Sequence, residues 1–252
     1  FHKIDMFDEI LFRPAPSLTV TTSSEDAPGD QSNLCLRAAR ALQNHLKTDE
    51  GVHISLIKNI PVGAGLGGGS SDAATVLRHL PRFWNRIVDE QTLDTLALQL
   101  GSDVPFFLGN SSAIGKGRGE QLEFFDLAIP YIILVCNPNI RISTAWAYMN
   151  ITPHDPSRQK SLMGVLRDGM KKPLQLASGL RNDFESIVFA EYPEVLRIKE
   201  VMLRGGAVFA SLSGSGSSVY GFFQKADSAA DVSHVFRAKG YKTFLTKPHF
   251  TW

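Results

Sequence analysis

The sequence predicts an α+β protein of two domains, and three observations support that prediction. Its 252 residues are 43% hydrophobic and 20% charged, which is enough apolar material for two small cores. Segments that alternate between apolar and polar residues, typical of strands, are interspersed with segments of helical periodicity. After residue 128 a strand, several helices, a hairpin, a helix and a strand follow one another, an order typical of a split βαβ sheet. We therefore expect one domain over residues 1–128 and a ferredoxin-like domain over residues 129–252.

Composition and charge favour a small molecule as the partner of the protein. Lys and Arg exceed Asp and Glu by one, so no general basic field favours nucleic acid or an anionic membrane surface. The longest apolar run, Leu127–Cys136, contains Pro130 and is too short to cross a bilayer. Cys35 and Cys136 lack the spacing of a metal site or a redox pair, so we expect buried thiols in a reducing compartment, the cytoplasm. The sequence leaves the oligomeric state open.

The first domain is expected to combine a mixed sheet with helices. Its elements are edge strands joined by a turn in residues 1–12, a strand at Leu18–Thr22, a helix at Leu34–Lys47 with Asn33 as its cap, a strand at His53–Ile60 and a helix at Asp89–Leu100. Phe106–Leu108 and Ser112–Ile114 are expected to flank a turn. Because Phe1 stands inside the first expected strand, the sequence predicts further strands upstream of it.

The second domain is expected to begin with a buried strand at Tyr131–Cys136. Helices follow at Ser143–Asn150, Gln159–Met170, Asp183–Phe189 and Val195–Arg204. A hairpin of Ala207–Leu212 and Ser217–Phe223, a helix at Ala226–Ala238 and a strand at Tyr241–Leu245 complete it. These elements predict a sheet with helices on one face.

A glycine-rich loop stands at the centre of the functional argument. Its five glycines within seven positions are Gly63, Gly65, Gly67, Gly68 and Gly69. Glycine at this density is useful where the backbone approaches a ligand closely or adopts positive φ. A helix begins directly afterwards, and its free N–H groups and positive dipole end favour an anion. We expect a phosphate site, the alternative being a tight connection that binds nothing.

Two other phosphate-binding motifs fit this loop poorly. Gly63, Gly65 and Gly68 have the spacing of a dinucleotide fingerprint, but Pro61 separates them from the preceding strand. A Walker loop needs lysine followed by Ser or Thr after a glycine, and Lys116 is followed by Gly117. Ser70 and Ser71 have two interpretations, as helix caps or as hydroxyls that meet phosphate or Mg²⁺.

The loop resembles the ATP loop of the GHMP kinases, the superfamily of galactose, homoserine, mevalonate and phosphomevalonate kinases. The resemblance is carried by Pro61-x-Gly63-x-Gly65-Leu66-Gly67-x-x-Ser70-Ser71. Four further segments agree, in family order: Gly101-Ser-Asp-Val-Pro-Phe-Phe107, Gly115-Lys-Gly-Arg-Gly-Glu120, Asn182-Asp183-Phe184-Glu185 and Leu212-Ser-Gly-Ser-Gly-Ser-Ser218. The triple glycine followed by two serines is most similar to the branch that phosphorylates 4-diphosphocytidyl-2-C-methyl-D-erythritol.

The resemblance implies ATP and Mg²⁺ as cofactors and Asp103 as the catalytic residue. Asp103 lies on a sharp turn that fixes the direction of its carboxylate, and in similar kinases this aspartate is a general base or an electrostatic orienter of the attacking hydroxyl. A helix cap is the alternative. In similar kinases a lysine in a Lys-x-Asn motif near the N-terminus partners the aspartate, and we expect that motif upstream of Phe1. The resemblance identifies no metal-ligand set within the chain.

The resemblance also implies roles for residues away from the loop. Asn33 and Lys58 flank the adenine in similar kinases, although the residues by themselves favour a helix cap and a solvated strand residue. Asn182 and Asp183 lie beside the substrate in the family, the alternative being helix caps. The residues Ser213, Gly214 and Gly216 help to complete the active site in the family, the alternative being a simple hairpin turn.

We therefore expect a cytoplasmic kinase that phosphorylates a hydroxyl of 4-diphosphocytidyl-2-C-methyl-D-erythritol in non-mevalonate isoprenoid precursor biosynthesis. One alternative is another GHMP kinase, of the homoserine or mevalonate type. A second alternative is a non-catalytic nucleotide-binding protein of the same fold, against which the presence of Asp103 argues.

Overall fold

The computed structural model describes residues 1–117, 119–152 and 161–250. Their contacts divide the chain into two compact units. The first unit contains residues 1–62 and 67–127, and the second contains residues 63–66 and 128–250. The middle of the glycine loop therefore has its contacts in the second unit, while the helix that follows belongs to the first. None of the helices formed by the described residues is long and apolar enough to cross a membrane.

The first unit contains a three-stranded mixed sheet, a hairpin and four helices within its described residues. In chain order these are β1 (Glu9–Pro14), β2 (Leu18–Thr22), α1 (Leu34–Leu46), β3 (Val52–Ile57), α2 (Gly68–Phe83), α3 (Glu90–Leu100), α4 (Val104–Leu108), β4 (Ser112–Lys116) and β5 (Gln121–Phe125). The sheet has the order β1-β3-β2, with β1 antiparallel and β2 parallel to β3. The strands β4 and β5 pair as an antiparallel hairpin.

The core of the first unit lies between the sheet and the helices α1 and α2. Alternate residues of β3, namely Val52, Ile54 and Leu56, are buried against these helices, as the two-residue period of a strand requires. From α2 the chain contributes Leu77 and Leu80, both with no exposed surface. This packing fixes the position of α2, and with it the end of the glycine loop.

Two expectations for the first unit are wrong. Residues 1–8 form no strand; the backbone of Phe1 instead exchanges two hydrogen bonds with Ala113 of β4. Residues 106–108, expected beside a turn, belong to the helix α4, which accommodates Pro105 because the first turn of a helix needs no N–H from it. The expected α1 and α3 are confirmed, with Asn33 and Asp89 as their N-cap residues.

The second unit contains a four-stranded antiparallel sheet and six helices within its described residues. In chain order these are β6 (Ile132–Asn137), α5 (Thr144–Asn150), α6 (Leu162–Lys171), α7 (Leu174–Gly179), α8 (Glu185–Glu191), α9 (Pro193–Arg204), β7 (Ala207–Leu212), β8 (Val219–Phe223), α10 (Ala226–Ala238) and β9 (Lys242–Leu245). The sheet has the order β7-β8-β6-β9. That order confirms the ferredoxin-like sheet predicted from the sequence.

The helices α9 and α10 bury their apolar faces against this sheet. Ile198 and Met202 of α9 pack with Phe223 of β8, and Phe236 of α10 completes the cluster. The expected helix Gln159–Met170 is present as α6 in its later part, while residues 159 and 160 lie outside the described residues. The sequence did not predict α7.

Candidate active site

The helix α2 begins directly at the glycine loop. Gly67 is its N-cap residue and has φ 69° and ψ 14°, the left-handed conformation. The first backbone bond of the helix runs from the N–H of Ser71 to the carbonyl of Gly67, at 2.9 Å. The N–H groups of Gly68, Gly69 and Ser70 precede that bond and have no partner within the helix. Three N–H donors therefore lie together at the positive end of α2, as an anion site requires.

Close packing explains why two of these positions are glycine. A Cβ added at Gly67 lies 2.9 Å from Cζ of Phe107, and one added at Gly68 lies 2.8 Å from Cγ2 of Ile60. Gly69 differs, since its Cβ lies 3.4 Å from Leu34 Cδ1, an ordinary contact. The start of α2 is thus held against neighbouring side chains at Gly67 and Gly68.

Ser70 and Ser71 lie in the first turn of α2, so the interpretation as N-cap residues is wrong. Both are half-buried, and neither hydroxyl has a hydrogen-bond partner among the described residues. Hydroxyls at this position remain able to bind an anion or a cation.

Pro61 precedes the turn at residues 62 and 63, and Leu66 is half-buried one residue before the N-cap.

Asp103 immediately precedes α4, which packs against α2. Asp103 occupies the N-cap position of α4 with αR backbone angles, but its side chain makes no capping hydrogen bond. The cap alternative therefore holds for its position and not for its carboxylate. The residue is exposed overall, yet desolvation by neighbouring protein raises the pKa of its carboxyl. Phe107, four residues further on, is the residue whose ring contacts the Gly67 position. A carboxylate without a hydrogen-bonded partner in the described residues therefore stands on the element beside the glycine loop.

Two basic side chains bind the carbonyl groups at the other end of α4. Lys3 Nζ donates to the carbonyls of Phe107, at 3.3 Å, and Gly109, and Arg78 donates to the carbonyl of Leu108. Burial lowers the pKa of Lys3 to about 8, with the charge of Arg78 as a second cause. These cations are favourably placed, because carbonyls at a helix C-terminus lack internal partners.

Asn33 and Lys58 are both tied into the protein. The Asn33 side chain accepts from the N–H of Cys35 at 2.8 Å and donates to the carbonyl of Pro28 at 2.6 Å, which confirms its interpretation as a cap. Lys58 Nζ binds Asp8 and Asp72, and its side chain is only 4% exposed. The interpretation of Lys58 as a solvated strand residue is wrong. That either residue flanks adenine stays a prediction.

In the second unit, the loop between β7 and β8 holds the middle of the glycine loop. Ser213 Oγ donates to the carbonyl of Gly65 at 2.7 Å, and the N–H of Ser218 donates to the carbonyl of Ala64 at 3.2 Å. A Cβ at Gly65 lies 2.1 Å from the carbonyl oxygen of Ser213. The glycines Gly63, Gly65, Gly214 and Gly216 all have positive φ. The Gly-Ser-Gly segment is therefore more than a hairpin turn.

Asn182, which precedes α8, and Glu185, the first residue of α8, fix that loop. The Asn182 Nδ2 donates to the carbonyls of Leu212, at 2.9 Å, and Gly214, at 2.8 Å. Glu185 Oε1 accepts from Ser211 Oγ at 2.9 Å and from the N–H of Leu212 at 3.0 Å, and Lys199 pairs with its other oxygen.

The capping interpretation of Asn182 and Asp183 is wrong, because α8 begins at Glu185 with Phe184 as its N-cap. Asn182 instead makes a local turn, its Oδ1 accepting from the N–H of Phe184 at 3.0 Å. Asp183 is half-buried, with Arg181 Nε 3.7 Å from its Oδ1. That Asn182 and Asp183 lie beside the substrate stays a prediction.

Two family models match the chain. The GHMP kinases N terminal domain matches residues 33–110, and the GHMP kinases C terminal model matches residues 166–242. A relative from Chlorobium limicola, named 4-diphosphocytidyl-2-C-methyl-D-erythritol kinase, is 42% identical over 256 residues, covering 100% of this chain and 88% of the relative. The chain belongs to the 4-diphosphocytidyl-2-C-methyl-D-erythritol kinase family of GHMP kinases.

Solved structures agree with this membership. A crystal structure of 4-(cytidine 5'-diphospho)-2C-methyl-D-erythritol kinase matches this GHMP kinase with a TM-score of 0.79 at 32% identity, covering 95% of this chain and 85% of that one. A homoserine kinase from Cytophaga hutchinsonii matches with a TM-score of 0.75 at 18% identity, covering 96% and 86%. That second likeness is one of fold alone. The resemblance and the fold class predicted from the sequence are confirmed.

Sequence reasoning missed several residues that shape the site of this GHMP kinase. Lys3, Asp8 and Asp72 make long-range contacts to backbone or to Lys58, and no local pattern marks such partners. Glu185 stood inside a segment that resembles the family but was not singled out. The signal that could have identified Glu185 is its position three residues after Asn182, on the same short segment.

Proposed function

We propose that this GHMP kinase transfers the γ-phosphoryl group of ATP to a hydroxyl of 4-diphosphocytidyl-2-C-methyl-D-erythritol. The proposal is carried by the three N–H groups at the start of α2 that have no partner within the helix, together with the Asp103 carboxylate, which stands immediately before α4 and makes no hydrogen bond to the described residues. The substrate follows from relatives named for that kinase, 42% identical along the whole chain. We assign ATP binding and catalysis to residues 1–128 and the substrate-side contacts of Asn182, Asp183, Ser213, Gly214 and Gly216 to residues 129–252.

The residues divide the chemistry between binding and proton transfer. The N–H groups of Gly68, Gly69 and Ser70 donate to phosphate oxygens and so stabilise negative charge without a lysine. Asp103 accepts the proton of the attacking hydroxyl. The oxygen of that hydroxyl bonds to the γ-phosphorus, while the bond between the γ-phosphorus and the oxygen that leaves with ADP breaks. In phosphoryl transfer the protein contributes mainly by positioning the two reactants and by stabilising the charge of the transition state.

The residues present fit Mg²⁺ held mainly by phosphate oxygens and water. No group of three His, Cys, Asp or Glu side chains suited to a metal occurs among the described residues. Mg²⁺ in kinases takes only one or two protein oxygens. The hydroxyls of Ser70 and Ser71, which have no hydrogen-bond partner among the described residues, are oxygens of this kind at the start of α2. When bound, the ion neutralises phosphate charge during transfer.

A kinase that acts on 4-diphosphocytidyl-2-C-methyl-D-erythritol accounts for the site better than either alternative. A non-catalytic nucleotide-binding protein has no use for the Asp103 carboxylate, and a homoserine or mevalonate kinase is supported only by likeness of fold. We place the reaction in the cytoplasm, since the buried free thiols of Cys35 and Cys136 suit a reducing compartment.

A substrate panel tests the proposal. The protein is supplied with ATP, Mg²⁺ and one alcohol at a time: the cytidylated methylerythritol, its uncytidylated 4-phosphate, homoserine and mevalonate. ADP release and ³¹P NMR of the product are measured. Turnover confined to the cytidylated alcohol supports the proposal. Turnover with homoserine or mevalonate alone, or none with any alcohol while ATP binds, refutes it.

A further inference from the structure

A buried cluster of three charges lies beneath the start of α2. Lys58 Nζ pairs with Asp72 Oδ2 at 2.8 Å and with Asp8 Oδ2. The exposed fractions of the Lys58, Asp8 and Asp72 side chains are 4%, 1% and 6%. Ion pairs at this depth are unusual, because removing charges from water costs several kcal/mol each. Apolar residues of similar volume fill such a place equally well or better.

Asp8 fixes the chain that leaves β3. Its Oδ1 accepts from the N–H of Asn59 at 2.6 Å and from the N–H of Ile60 at 2.8 Å. Its other oxygen meets Lys58 Nζ. One carboxylate thereby holds three consecutive residues, 58–60, directly before the loop proline.

Asp72 connects that segment to α2. It is the fifth residue of the helix, and its Oδ2 accepts from Lys58 Nζ. Lys58 Nζ also lies 3.3 Å from where a Cβ of Gly68, the first helical residue, would be. At the same position Ile60 Cγ2 lies 2.8 Å from that Cβ. The charge cluster and Ile60 thus contact the turn of α2 that carries the free N–H groups.

We infer that Asp8, Lys58 and Asp72 are positioning residues that fix the phosphate-binding end of α2 against the end of β3. Lys58 joins two carboxylates, one on each side of the glycine loop in sequence, so the loop is closed at its base by directional bonds. A contact between apolar side chains at this place would not be directional. It would therefore fix the distance between Ile60 and Gly68 less strictly than the hydrogen-bonded charges do. This inference rests on the proposed function in so far as the free N–H groups bind ATP phosphates.

Neutralising Asp72 separates positioning from simple electrostatics. Asp72→Asn keeps the size of the side chain and removes a negative charge near the proposed phosphate site. If Asp72 acted only through its charge, ATP, an anion, would bind more tightly to the variant. If Asp72 positions the helix, ATP binds more weakly. We expect the Kd for ATP to rise about tenfold, equivalent to about 1.4 kcal/mol.

The test measures ATP binding by titration calorimetry, together with kcat and the KM values of both substrates. We expect the KM for ATP to rise about tenfold, and kcat and the KM of the alcohol to change less than about threefold. The control is Glu50→Gln, which breaks the Arg86–Glu50 pair of the same unit, with side chains 50% and 42% exposed; exposed pairs contribute little. That control should bind ATP as the original protein does.

A second variant keeps the test decisive if Asp72→Asn fails to fold. Lys58→Met with Asp72→Leu and Asp8→Asn removes all three buried charges, and the amide oxygen of asparagine can still accept from the N–H groups of Asn59 and Ile60. We expect this protein to fold, since such replacements are commonly neutral or stabilising, and to bind ATP about tenfold more weakly. Unchanged or tighter ATP binding by a folded variant overturns the inference alone. Failure of the original protein to bind ATP overturns the proposed function as well.

Discussion

Gly67 and Gly69 should respond in opposite ways to alanine: the substitution should lower the stability of the protein at Gly67 and raise it slightly at Gly69. Gly67 has φ 69°, and an added Cβ lies 2.9 Å from the Phe107 ring. Gly69 lies in the first turn of α2, and its added Cβ meets only Leu34 Cδ1 at 3.4 Å. Alanine at Gly67 is therefore strained, whereas alanine at Gly69 fits. The two positions differ by two residues, so each variant is the control for the other.

The magnitudes follow from the backbone and the contacts. A left-handed conformation costs a residue other than glycine about 1–2 kcal/mol, and the Phe107 ring must also move. Glycine to alanine within a helix gains about 0.5–1 kcal/mol, and the lower value suits Gly69 because it lies in the first turn. We expect Gly67→Ala to be less stable than Gly69→Ala by about 2 kcal/mol. For a protein of this size the difference corresponds to about 4–8 °C in Tm.

Thermal unfolding followed by circular dichroism measures this difference, and calorimetry measures ATP binding by the same samples. Gly67→Ala should also bind ATP more weakly, because the N–H groups that follow Gly67 are displaced with it. Equal Tm values for the two variants would refute the assignment of strain to Gly67. A lower Tm for Gly69→Ala would refute the whole comparison.

Three further predictions concern Asp103 and the contacts of the second unit. Asp103→Asn should lower kcat by about 10²-fold or more with little change in the Kd for ATP, as loss of a general base typically does; near-normal turnover excludes the assigned role. Since desolvation raises the pKa of Asp103 and a base must be ionised, kcat should fall with decreasing pH through a pKa above the usual aspartate range. That acid limb should be absent in Asp103→Asn. Ser213→Ala removes the donor to the Gly65 carbonyl. This change should raise the KM for ATP about threefold to tenfold, consistent with about 1 kcal/mol per hydrogen bond. The control Ser178→Ala, at an exposed position, should leave the KM for ATP unchanged.

Local patterns were enough to predict most of the elements. The apolar period of α1 and the cap Asn33, the alternation of β3 and the strands of the second unit all agree with the structure. Errors occurred where the pattern was short or mixed. Residues 1–8 have apolar residues typical of strands, but among the described residues their backbone pairs with β4 only at Phe1, and α4 is a five-residue helix with a proline in its first turn. Elements this short are decided by their neighbours, since local propensity is weak.

The sequence by itself determined where the glycine loop and the following helix lie. Five glycines within seven positions at the beginning of an amphipathic helix indicate a backbone that approaches a ligand, so the loop and the start of α2 could be predicted from the sequence alone. Only the tertiary structure decided what holds the loop. Lys58 and its two carboxylates, like the hydrogen bond from Ser213 to Gly65, join residues 14 to 148 positions apart. The physical reason is that burial and pairing of a charge depend on the whole surrounding fold, whereas a glycine's backbone freedom belongs to the residue itself.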